Sequence, residues 1–457
     1  MAVYNPTPHH TTPHHTTPHH TTPALLPEFS PKPSSFKSRL KKRLKQYNFI
    51  KYPYDIFIRP VRRAVHRLKT CIWNFLLSHE PSRSAIIRRN GYKICKLSTV
   101  YDYCKEHDGI LRVYDASCEY PARPLCRTRE DFEANIFAEP VMRPAWYIYA
   151  AKIRDAVIFG KEDVFFADGH CLTDRKTQIQ GSHYYISRNI PEIKPEIALV
   201  KMPKNPEVIE RGINLMKMWS ENIFHFTFEG ISRLQLVDEI EEYRTWPLII
   251  DEEPLYNPWR IQLLEMVNTY KHPIIPVTQG QPYLVREMIY PSFLNWYEKD
   301  SGYAPRIHTR ATEYIRDKIL HSHQPAREYR NVYVVRGDKR FLNENEVIEC
   351  LSRHGIEIVY QKSYDEVLDV FMTADNIITP VGSNMVSIIA SKPETQLYVI
   401  CPFEYHAEIL NFGLTDASKR TLHFIPANVH KLGPVLNQTD FTVDISRIEA
   451  LAQQLSR

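Results

Sequence analysis

A chain of 457 residues, 43% of them hydrophobic, can bury a large apolar core and divide into two or three domains. The formal charge of +5 is a local matter: residues 35–70 carry twelve Lys or Arg against the single acid Asp55, net +11, which leaves the rest of the chain at net −6. That distribution argues against a general affinity for nucleic acid, and no apolar run reaches the roughly eighteen residues a membrane-crossing helix needs.

Residues 1–34 repeat His-His-Thr-Thr-Pro three times between His9 and Pro23 and then carry Pro27, Pro31 and Pro33, the composition of a disordered tail. Paired histidines punctuated by proline hold no fixed ligand geometry, so no metal site is expected there. Over 35–91 two basic amphipathic helices are predicted. In the first, Phe36, Leu40, Leu44 and Tyr47 form an apolar stripe beside Lys41, Lys42, Arg43 and Lys45. In the second, Val61, Val65, Leu68, Ile72 and Phe75 follow Pro60, with Arg62, Arg63, Arg67 and Lys69 on the other faces. Residues 35–77 suit an anionic membrane surface, where each basic group adds about 1 kcal/mol. Helices docked on the protein's own body with their charges in water fit the same pattern. Met1-Ala-Val-Tyr-Asn-Pro lacks the charged-then-apolar opening of a secretory signal, and the eight cysteines include no Cys-x-x-Cys pair. The expectation is a cytoplasmic protein with reduced thiols, peripheral on the inner face of the membrane if attached at all, with neither zinc nor another cofactor.

Residues 92–322 are read as an N-terminal lobe with a β-rich start. Short strands are predicted over 146–153, 156–159 and 164–167, the last followed by an Asp168-Gly169 turn. Helices are predicted over 206–219 and 222–242, a strand over 247–250 ending at Asp251, a helix over 258–270, and strands at 274–275 and 283–289. A hinge is expected over 323–330. Residues 323–457 form the C-terminal lobe, with predicted strands over 331–335, 356–360, 376–379 and 397–401 alternating with helices over 343–354, 363–373 and 384–390. Alternation of this kind gives an α/β fold of two Rossmann-like lobes.

Ligands in such sheets sit beyond the carboxyl ends of the strands. The residues there are Arg336, Gln361 and the turn Pro380-Val381-Gly382-Ser383-Asn384. Gly382 lets backbone approach a ligand, and the helix that follows offers N–H groups and a positive dipole end to phosphate. Arg336 and Arg340, four residues apart, form a fork able to grip a diphosphate, although two surface charges would look the same.

The order Arg336, Arg340, Leu342-Asn343-Glu344, Gly355-Ile356-Glu357-Ile358, Ala374-Asp375 and Gly382 resembles the C-terminal lobe of glycosyltransferase family 61. Upstream, Asn222-Ile-Phe-His225-Phe-Thr-Phe-Glu229 with Arg233-Leu234 resembles the family's Asn-x-x-His-Trp helix and the Pro-Arg-Leu beyond it. Phe226 stands where that pattern has tryptophan, and Val381 where a histidine precedes the turn glycine. The resemblance spans 168–401. It implies a GT-B-like pair of lobes, with a nucleotide-sugar donor, UDP-linked, held by the C-terminal one through Arg336, Arg340, Asn343, Gly382, Ser383 and Asn384. A glycan acceptor meets the N-terminal lobe, and transfer inverts the sugar. A catalytically inactive scaffold that binds nucleotide sugar or glycan is the alternative.

Inverting transfer is one displacement, needing a base for the acceptor hydroxyl and positive charge for the departing diphosphate. His225 is the candidate base, since an imidazole titrates near neutral pH. Glu229, one turn on, can orient it, and Asp251 ends a strand facing the same region; either carboxylate can equally be the base. Glu404, past the 397–401 strand, is a candidate for ribose hydroxyls. No Asp-x-Asp follows an apolar strand, and arginine with a helix N-terminus can neutralise the leaving group, so no metal is expected.

Overall fold

The computed structural model describes residues 91–456 apart from 116–118, 123–125, 127, 137–140, 145–146, 175–186, 188, 195, 297–305, 338–339, 407–420 and 434–438. All of them belong to one compact unit, Lys69–Arg457. The expected tail and both basic helices lie outside the described residues, as do Cys71 and Cys118. The remaining cysteines are buried free thiols. Among the described residues no helix is long and apolar enough to cross a membrane.

The fold is mixed α/β. Its larger sheet has four parallel strands at one end, in the order Ile274–Val277, Leu248–Asp251, Glu207–Asn214, Pro282–Pro291. Antiparallel strands continue it, beginning with the twelve-residue Ile148–Phe159, which also pairs with Ile110–Asp115. The hairpin Phe165–Ala167 to His170–Thr173 follows, then Tyr92–Thr99, which breaks the antiparallel pattern by running parallel to His170–Thr173, and the antiparallel Ile197–Lys201 and Glu192–Ile193. The hairpin turns on Asp168 (φ 41) and Gly169 (φ 78), both left-handed as the Asp-Gly pair predicts.

Two expectations fail here. Residues 206–219 contain no helix: Glu207–Asn214 is a central strand followed by a loop. Ile209 and Ile213, four apart, imitate a helical stripe, but both are buried within the sheet, and Gly212 packs so closely on the Ile249 side chain that a Cβ would stand 2.7 Å from it. Residues 222–242 are not one regular helix either. They run as a π-turn His225–Gly230, a 3-10 turn Ile231–Leu234, a short α-turn Gln235–Asp238 and a further 3-10 turn Glu241–Tyr243. Arg233, fully buried, holds the break open by donating to Gly230 O (3.3 Å), Pro291 O (3.2 Å) and Met216 O (2.8 Å). A π-turn of this kind marks functional segments in many helices.

The smaller sheet follows the sequence reading closely. Its strands lie in the order Glu357–Val359, Asn331–Val334, Asn376–Pro380, Gln396–Pro402, Thr421–Lys431, all parallel, and Asp440–Val443 closes it antiparallel. Helices Glu344–Arg353 and Tyr364–Thr373 lie where they are expected, and Ser363 caps the second by accepting from Glu366 N. The expected helix over 384–390 is a 3-10 turn, Ser383–Ala390.

Both sheets share one apolar core, which passes from Phe224, Leu236 and Leu263 through Ile315 to Leu368 and Ile388. Helix Thr309–Ser322 packs on the His225–Gly230 turn, on helix Pro258–Val267 and on Ser383–Ala390. The Trp259 and Tyr364 rings stack at 6.0 Å. Residues 323–330 are hydrogen-bonded to the helix Tyr364–Thr373: Asp369 accepts from His323 Nε2 (2.6 Å) and Ala326 N (3.3 Å), and Tyr329 N donates to Thr373 Oγ1 (3.0 Å).

Candidate functional site

The smaller sheet reverses its strand order between Asn331–Val334 and Asn376–Pro380, the point where open parallel sheets form a ligand crevice. Arg336 follows the first strand and Val381-Gly382 the second, and the sheet brings them together: Arg336 Nη1 donates to Val381 O. Glu344, buried at the start of its helix, fixes this corner. Its Oε1 accepts from Tyr333 OH (3.0 Å) and Arg336 N (2.7 Å), and its Oε2 from Gly337 N (3.0 Å). Burial, helped by the Glu344 charge, pushes the Tyr333 phenol well above its usual range.

Other donor-side candidates have different partners. Arg340 pairs with Asp440 at 2.6 Å, whereas Arg336 turns to Val381 O. The Asn343 amide grips the last strand, Asp440–Val443, donating to Val443 O (2.9 Å) and accepting from Val443 N (3.1 Å). Gly382 is extended (φ 173), a conformation open to any residue, and Ser383 beside it is exposed at the start of the 3-10 turn, with the backbone of Asn384 following. Gln361 donates to Val335 O at 2.5 Å. Glu404 sits one strand further along and binds Arg129 at 2.8 Å.

The larger sheet has a reversal of its own, between Glu207–Asn214 and Pro282–Pro291. Beyond their carboxyl ends lie the loop from Leu215 to Ser220, the π-turn and Asn295. There His225 Nδ1 meets Glu229 Oε2 at 2.7 Å. Glu229 is 0% exposed and the His225 side chain 20%. Asn295 Nδ2 donates to Glu229 Oε1 at 2.5 Å, and the Lys217 ammonium stands 3.5 Å from Oε2. Lys217, 2% exposed, also bonds Asp163, whose other oxygen accepts from Met218 N at 2.6 Å. Hydrogen bonds and an opposite charge of this kind offset part of the cost of burying a carboxyl group. Because Glu229 occupies Nδ1, a proton taken by His225 goes to Nε2.

Asp251 lies beneath this loop. It is 2% exposed, and its oxygens accept from Lys161 N (2.5 Å), Lys217 N (3.2 Å) and Ser220 Oγ (3.1 Å). Burial pushes its carboxyl up to about 6, against the pull of those hydrogen bonds. Its position fits anchoring the loop. Trp219, in that loop, has φ 65 and places its ring 5.5 Å from that of His225. Phe226 points into the core instead, and Val381 is likewise buried.

Sequence reasoning missed Lys217, Asp163, Asn295 and Trp219, and saw Glu344 without a role. A lysine inside the apolar run Leu215-Met216-Lys217-Met218-Trp219 was the available signal, since a charge there must be paired if buried.

Charged groups thus gather beyond the strands of two parallel arrays of an α/β protein, an imidazole on one and a guanidinium on the other. Residues 223–398 match the family model Glycosyltransferase 61. That match includes His225, Glu229, Arg233, Asp251, Arg336, Glu344 and Gly382 and ends before Glu404. A comparison with curated proteins finds no match.

Proposed function

We propose that the protein transfers a sugar from a nucleotide diphosphate-sugar, UDP-linked by the family resemblance, to a hydroxyl of a glycan acceptor, inverting the anomeric centre in a GT-B-like cleft between two lobes. The observation that carries this reading is the His225–Glu229 pair at 2.7 Å, an imidazole at the edge of solvent backed by a fully buried carboxylate. The acceptor oxygen attacks the anomeric carbon while the bond to the diphosphate oxygen breaks, and the leaving nucleotide keeps the electron pair. The hydroxyl proton passes to His225 Nε2, and Glu229 stabilises the imidazolium through Nδ1. Arg336 and the N–H groups opening the Ser383–Ala390 turn meet the charge that develops on the diphosphate, which removes the need for a metal. Asp251 acts through the loop it anchors. The basic stripes over 35–77 favour attachment to an anionic membrane face, the side on which cytoplasmic nucleotide sugars are available.

Incubation of the purified protein with a set of UDP-sugars, with and without glycan acceptors, tests the reaction by nucleotide release. The expected loss is about 10²–10⁴-fold in His225→Ala and about 10²–10³-fold in Arg336→Ala. Nucleotide binding without release from any donor would refute turnover and leave a binding scaffold, a reading favoured by the buried Val381 side chain in place of a histidine.

A further inference from the structure

Eight described residues other than glycine have left-handed backbone. Seven are Asp, Asn, Lys or Gln; the eighth is Trp219, at φ 65. A bulky aromatic residue is an outlier there and persists only where its surroundings enforce it. Two buried carboxylates do so. Asp163 Oδ1 accepts from Met218 N (2.6 Å), and Asp251 Oδ2 accepts from Lys217 N (3.2 Å) and Ser220 Oγ (3.1 Å). Ser220 N then donates to Lys217 O (3.1 Å) and Asn222 N to Trp219 O (2.8 Å).

This scaffold does not fully bury Trp219. Lys217 and Ser220 are buried on either side of it, whereas Trp219 is partly exposed. Its ring stands 5.5 Å from the His225 ring at an interplanar angle of 46°, and the Lys217 ammonium lies 5.7 Å from the indole centroid. A core filler would gain more by turning inward, and a residue that merely rounds a turn would be glycine or asparagine. What the arrangement secures is a flat aromatic face beside the imidazole. Sugar rings present one face of polarised C–H bonds, which the negative face of an aromatic ring attracts.

We propose that Trp219 is the floor of the acceptor subsite: the sugar ring carrying the attacking hydroxyl lies on its indole face, which delivers that hydroxyl to His225 Nε2. The ligand class is a pyranoside. The assignment to the acceptor, and not the donor, rests on the transfer reaction proposed above and on the position of Trp219 beside the base, on the sheet that does not carry Arg336.

Glycine tolerates φ 65, so Trp219→Gly removes the platform while relaxing the backbone, and its thermal midpoint should equal or exceed that of the wild type. Saturation-transfer NMR on the full chain, with the methyl β-glycosides of glucose, galactose, xylose and N-acetylglucosamine as probes, should give ring C–H signals in wild type and Trp219→Phe and lose them in Trp219→Gly. In the transfer assay the acceptor KM of Trp219→Gly should rise about tenfold or more, with the donor KM within about twofold. No glycoside signal in wild type, or an unchanged signal or acceptor KM in Trp219→Gly, would overturn the subsite. Glycoside binding that depends on Trp219, in a protein that releases nucleotide from no donor, upholds the subsite and refutes the transfer reaction.

Discussion

Replacing Arg233 by methionine isolates what holds the irregular segment beneath His225. The guanidinium is fully buried and supplies three backbone carbonyls, those of Gly230, Pro291 and Met216, and burial pulls its own pKa down. Methionine fills much of the volume but donates nothing, so three buried acceptors lose their partner at about 1–3 kcal/mol each. Part of that returns because a charge no longer has to be desolvated, leaving a net loss of about 4 kcal/mol. For a unit the size of Lys69–Arg457, an unfolding entropy of about 2 cal/mol/K per residue turns this into a fall of about 5 °C in Tm. Nucleotide release measured well below that midpoint should also fall, because Gly230 closes the π-turn that aims His225. Thermal unfolding by circular dichroism, alongside the release assay at 20 °C, checks both. A Met variant that melts within about 1 °C of wild type, or that melts early yet keeps full activity, would refute the role of the guanidinium as the clamp of this turn.

Asp251 offers a pH test. Its folded-state pKa of about 6 lies above the ordinary carboxylate value of 3.8, so the native protein binds a proton between pH about 4 and 6 that the unfolded chain releases. Its ionisation therefore costs stability as pH rises through that window, about 2–3 kcal/mol in all, and denaturant titrations of Asp251→Asn should show a shallower decline between pH 4 and 7 than wild type. Glu344→Ala leaves Arg336 N, Gly337 N and Tyr333 OH without their acceptor; donor KM should rise about tenfold while acceptor KM holds. Gly169→Ala, at φ 78 in the hairpin, should lower stability by about 1 kcal/mol in chemical denaturation without affecting nucleotide release. Sedimentation with anionic liposomes should require residues 35–77 and weaken with salt; indifference to lipid charge would argue that these stripes pack on protein.

The smaller sheet was legible in the sequence because its strands are buried on both faces and read as apolar runs, with Ser363 and Gly355 punctuating the helices between them. The larger sheet was less so. Its strand Glu207–Asn214 has a helix-like spacing of isoleucines, and only the neighbouring strands reveal which faces are covered. His225 and Glu229 could be paired from their spacing of four. The rest of their network could not: Asn295 reaches Glu229 across 66 positions and Lys217 reaches Asp163 across 54, contacts that exist only once the sheet has assembled. Asp251 was found by its place at a strand end, but its burial was not legible, since that depends on the loop that folds over it.

Helix Thr309–Ser322 has consequences for how the molecule can be handled. Ala311, Thr312, Ile315 and Ile319 on its inner surface are buried against segments from both halves. A fragment cut just after it would carry a bare aliphatic strip, and the complementary fragment would lack a lid for Ile388 and its neighbours. Attempts to produce the two fragments separately should give insoluble material.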